Sequence, residues 1–105
     1  MTKMTRSLLV LAATVSLAGA VGFAQAAGEG TYKAKCAGCH GATGTPSAGM
    51  AKAMGIKAAS DPAIKALSVA DVTAAVKSGK GKMKPVAGLT DAQVKDVVAY
   101  FRSLK

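Results

Sequence analysis

The sequence predicts an all-α fold of three to five short helices. Three observations lead there. Apolar residues recur at helical spacing, most clearly as Val94, Val97, Val98 and Phe101 at i, i+3, i+4 and i+7. No segment of comparable length alternates as a strand would. The domain is also short and so poor in large side chains that something other than protein is expected to fill its middle.

The chain of 105 residues is not read as domain throughout. Lys3 and Arg6 precede an apolar run from Leu8 to Ala20, and the small-residue site Ala24-Gln25-Ala26 follows. That order is a secretory signal peptide cleaved after Ala26, which implies the periplasm or a comparable exported compartment. The alternative is an uncleaved anchor, but Leu8 to Ala24 spans only 17 residues and contains Thr14 and Ser16, at the lower limit for crossing a bilayer. The chain thus divides into a leader, 1–26, and a domain, 27–105.

Removing Lys3 and Arg6 from the 14 basic residues leaves 12 against 5 acidic ones, a net charge of +7 on the domain. Such a surface attracts acidic partners. Nucleic acid is a poor fit, because the domain has one arginine, Arg102. Its three aromatics, Tyr32, Tyr100 and Phe101, fall on helical faces with a buried pattern, leaving no stacking platform.

Taken in order, the first helix is expected from about Gly28 into "KCAGCHG", with Tyr32, Cys36 and Cys39 at i, i+4 and i+7 and a turn favoured by Gly38 and Gly41. Residues 41–60 are loop-like, with Ala48 to Met54 a candidate short helix. Asp61 and Pro62 form an N-cap and first helical residue, opening a turn of helix to Leu67. Ser68 starts the next helix with Asp71 three positions on, Val69, Val72 and Val76 form its apolar stripe, and Gly79 stops it. "GKGKMKP", residues 79–85, is a loop carrying Met83. Thr90 caps the last helix with Gln93 completing the box, a cap worth about 1 kcal/mol.

Both cysteines and the only histidine lie within five positions, Cys36 to His40. A thioredoxin-like redox pair shares the cysteine spacing but belongs in an alternating strand and helix fold, which is missing here. Structural zinc needs four ligands, and Cys36, Cys39 and His40 supply three with no fourth Cys or His in the chain. The remaining pattern is Cys-x-x-Cys-His, that of c-type haem attachment. The thiols of Cys36 and Cys39 would add to the two haem vinyls, and His40 would supply the proximal nitrogen. The haem, a large apolar plate, would then be the missing core.

No second histidine exists, so His/His ligation within one chain is excluded. The domain offers Met50, Met54 and Met83. Met50 and Met54 would share one face of a short helix, which favours packing. Met83 sits where glycines let the backbone approach a haem and Pro85 restricts the loop, so it is the candidate second ligand.

Over nearly all of its domain the chain resembles the small bacterial class I c-type cytochromes, in the helix running into "CAGCH", the glycine-bounded methionine loop and the final "VVAYFRSL". The resemblance implies a class I cytochrome c fold wrapped around one covalently attached haem c. It implies Met83 as distal ligand and a crossing of first and last helices at Gly28 and Tyr32 against Tyr100 or Phe101. A proline carbonyl often receives the proximal imidazole N–H in that family. Pro46 is the only candidate here, and it comes early in the loop.

The expected function is a soluble, periplasmic one-electron carrier and not an enzyme. Its partners would be acidic redox proteins such as an oxidase, a reductase or a photosynthetic complex, with membrane contact only through them. Lys35, Lys52, Lys80, Lys82 and Lys84 are placed to flank the haem and steer such partners. The alternatives are a haem sensor or peroxidase-type enzyme with an open distal site, and a haem subunit of a membrane redox complex.

Overall fold

The computed structural model describes residues 22–105. The basic region at Lys3 and Arg6 and the apolar run from Leu8 to Ala20 lie outside the described residues, so most of the leader reading does too. Six helical segments follow one another, and among the described residues the sole β-type pairing is an isolated bridge between Lys80 and Met83. Helix α1 covers 22–35, α2 Ala37–His40, α3 Ala48–Met54, α4 Pro62–Lys65, α5 Val69–Ser78 and α6 Asp91–Ser103. The class is all-α, as expected. The segment beyond five arises because the first expected helix is interrupted at Cys36, although its N–H still reaches the Tyr32 carbonyl at 2.8 Å.

Local chemistry explains most boundaries. Helix α1 is already helical at residue 22, before the expected start near Gly28, because Phe23 to Ala27 is a run of helix-compatible residues rich in alanine. Gly41, at φ 84°, ends α2. The Ser47 hydroxyl accepts from the Met50 N–H at 3.2 Å to start α3, and Gly55 closes it in the left-handed region. Asp61 accepts from the Ala63 N–H at 2.8 Å, and α4 then stops at Lys65, two residues short of Leu67. Reciprocal capping boxes, Ser68 with Asp71 and Thr90 with Gln93, open α5 and α6.

The core lies between α5 and α6, where Val72 and Val76 meet Val94 and Val98, with Leu67, Met83, Val86, Leu89 and Phe101 packed around them. Val69, expected in the same stripe, is 56 % exposed. It is the first residue of α5, one turn ahead of Val72, and the cluster does not extend to it. The loop after α5 is fixed by the Val86 N–H, which donates to the Val76 carbonyl at 2.8 Å. Lys65 donates to the carbonyls of Arg102 and Leu104, and Arg102 to that of Leu67 at 2.6 Å, tying α4 to the end of α6.

Helix α1 meets α6 at Gly28. A Cβ there would collide with the Asp96 carbonyl and come within 2.9 Å of the Tyr100 Cβ, whereas Gly30 has nothing within 4 Å. Gly28→Ala is therefore expected to destabilise the domain by about 1–3 kcal/mol. Gly30→Ala, inside the same helix with free space, should gain about 0.4–1 kcal/mol. Urea unfolding midpoints of the two variants check this, and equal shifts of the same sign would contradict the close crossing.

Candidate cofactor site

A cavity of about 820 Å³ opens between the end of α1, the α5–α6 core and the loop between them. Cofactor cavities run to roughly 300–1,000 Å³, so it lies toward the large end. Cys36, Cys39 and His40 enter it from one side. Met83 enters from the 79–85 loop and Met54 from the end of α3. Much of the remaining wall is apolar, including Ile64, Leu67, Val72, Val76, Val98 and Phe101.

The two thiols are free, Cys36 half-buried and Cys39 exposed. Burial pushes the Cys36 thiol up. Cysteines activated for redox exchange are shifted the other way, so Cys36 does not have the electrostatics of a dithiol oxidoreductase. Burial also pushes the His40 pKa down, favouring the neutral imidazole that ligates metals. The imidazole stands edge-on to Phe101, with centroids 5.7 Å apart and planes at 67°.

The turn behind His40 is held tightly. Tyr32 is fully buried, and its hydroxyl donates to the Gly41 carbonyl at 2.6 Å. Burial, reinforced by the nearby Cys36 and Tyr100, raises the hydroxyl's pKa above its ordinary value, so it remains a donor. Its ring lies 5.4 Å from that of Tyr100 and 6.4 Å from that of Phe101. This is the crossing of first and last helices that the resemblance implied. Pro46 is not among the residues lining the cavity.

Met83 is fixed by its backbone. Its N–H and carbonyl each bond to Lys80 at 3.0 Å across a tight turn with Gly81 at φ 58°. Gly79 has a positive φ of 78°, and a Cβ there would come within 2.6 Å of the Met83 carbonyl. Lys82 reaches across to the Ala53 carbonyl at 2.9 Å, tying the methionine loop to α3. Met50 does not line the cavity, whereas Met54 does.

Of the lysines expected around the site, Lys35, Lys80, Lys82 and Lys84 line the cavity and Lys52 does not. Lys57 does line it and was not anticipated. The left-handed turn at Gly55, φ 67°, sends Ile56 and Lys57 back to the cavity. The glycine ending α3 was the available signal.

Two free thiols, a neutral imidazole and thioethers thus converge on one largely apolar cavity. The set fits haem c, whose faces need apolar contact and whose iron accepts nitrogen and thioether ligands. A family model described as cytochrome C oxidase, cbb3-type, subunit III matches residues 23–101. No curated protein and no solved structure matches the chain.

Proposed function

The chain belongs to the cytochrome c oxidase, cbb3-type, subunit III family, c-type haem domains that transfer electrons rather than catalyse, and from that premise we propose that it is a soluble one-haem electron carrier of the periplasm. One haem c is bound covalently through Cys36 and Cys39, with His40 and Met83 as its iron ligands. The observation carrying this reading is the convergence of those four side chains on one cavity.

When bound, the haem supplies a single iron that gains or loses one electron. The chain does the rest. Cys36 and Cys39 hold the group to the end of α1. His40 and Met83 would be the residues that hold the iron, and their backbones, fixed at Gly41 and Lys80, would move little between oxidation states. The apolar wall excludes water. Lys35, Lys57, Lys80 and Lys84 give the rim a positive charge suited to acidic partner proteins, whether oxidase, reductase or photosynthetic complex.

A second reading, a haem subunit of a membrane oxidase, is favoured by the family's description. Among the described residues no helix is long and apolar enough to cross a membrane. Expression of the full chain in a cytochrome c-maturing bacterium separates the two readings. The carrier reading expects haem-stained protein in the osmotic-shock fluid, with a mature N-terminus at Ala27. Haem retained in washed membranes, with the leader still attached, would favour the subunit.

A further inference from the structure

We propose that Tyr32 is a positioning residue for the proximal ligand: by holding the Gly41 carbonyl, its hydroxyl sets the angle at which the His40 ring meets the haem iron. This rests on the reading of His40 as that ligand. Tyr32 grips the attachment segment at both ends. Its carbonyl takes the Cys36 N–H at 2.8 Å, and its hydroxyl holds Gly41, the residue directly after His40, at 2.6 Å.

The geometry around Gly41 leaves that turn little freedom. Gly41 sits at φ 84°, and a Cβ there would collide with the Thr45 carbonyl. The Gly41 carbonyl also receives the Gly44 N–H, at a longer 3.3 Å, so the tyrosine supplies the shorter bond. Core packing does not account for the hydroxyl. A phenylalanine would fill the same space against Tyr100 and Phe101, while a buried hydroxyl is costly unless it is bonded.

A second route runs through Phe101, whose ring stacks on Tyr32 at 27° and meets His40 at 67°. Metal-ligating histidines are ordinarily oriented by a bond to the free ring nitrogen. Here the orienting contact acts on the backbone beside the ligand.

The test compares ferric protein carrying its haem as wild type, Tyr32→Phe and Tyr100→Phe, the last keeping the Tyr32 hydroxyl. Low-temperature electron paramagnetic resonance g-values and the spread of haem-methyl proton shifts report the orientation of the axial ligands. Tyr32→Phe is expected to move both, and Tyr100→Phe to leave both near wild type. A Tyr32→Phe protein that melts earlier but superimposes on wild type in both spectra would overturn the positioning role.

The chain has two tyrosines, so in the Tyr100→Phe background 3-fluorotyrosine labels Tyr32 alone and makes its hydroxyl a stronger donor without removing it. Haem-methyl shifts should then move again, and unmoved shifts would overturn the proposal even if Tyr32→Phe failed to mature. Wild-type protein without low-spin haem would overturn the ligand reading and this role together. A normal wild type with unresponsive variants overturns this role alone.

Discussion

Replacing Cys36 and Cys39 together by serine is expected to abolish covalent haem and, with it, the stable fold. Among the described residues the buried protein core is small: Tyr32, Ala59 and five valines, Val72, Val76, Val94, Val97 and Val98. Beside it lies a cavity of about 820 Å³. The cavity is partly open and its wall largely apolar, and apolar surface left to water costs about 25 cal/mol per Å². Whole domains are stable by only about 5–15 kcal/mol. A chain without the group must therefore collapse around the cavity or admit water onto its apolar wall, and either removes the margin.

Haem staining after denaturing electrophoresis and far-ultraviolet circular dichroism check this. The double variant should show neither stain nor native helix content, and each single variant should keep one thioether bond with reduced yield. A double variant that still carried haem through denaturation would contradict the assignment.

Met83→Ala is the second large effect. Thioether ligation raises the reduction potential of haem iron, so its loss should lower the midpoint by on the order of 100 mV, within the roughly 0.8 V that axial ligands span. The ferrous protein should also bind carbon monoxide. Met54→Ala provides the comparison, since Met54 lines the same cavity from α3. It should leave the low-spin spectrum intact, because Met83 is the proposed ligand, its N–H and carbonyl both bonded to Lys80 in the turn at Gly81. If Met54→Ala rather than Met83→Ala opened the iron to carbon monoxide, the two methionines would exchange roles.

Local and long-range features of this fold differ in how far the sequence displays them, for a physical reason. Helix starts depend on a few adjacent residues, so the boxes at Ser68/Asp71 and Thr90/Gln93 and the stop at Gly79 were legible from spacing alone. The convergence of Cys36, Cys39 and His40 on one cavity was legible for the same reason, since they lie within about one helical turn. Periodicity describes a helix's own faces and not how far its neighbour extends, so Val69 was placed in a core that does not reach it. The hydroxyl bond from Tyr32 to Gly41 spans nine positions and depends on the curl of the chain through α2. Lys57 comes to the cavity only through the reversal at Gly55 that ends α3. Long-range relations of that kind leave no periodic trace.

With His40 and Met83 both holding the iron, as proposed, the haem would exchange electrons and bind nothing else. The optical spectrum of the haem-loaded protein, oxidised and reduced, before and after carbon monoxide, is the deciding measurement. A low-spin spectrum in both states that carbon monoxide does not change is expected. A high-spin spectrum, or a ferrous spectrum that shifts on adding the gas, would contradict it and point instead to a sensor or peroxidase-type site.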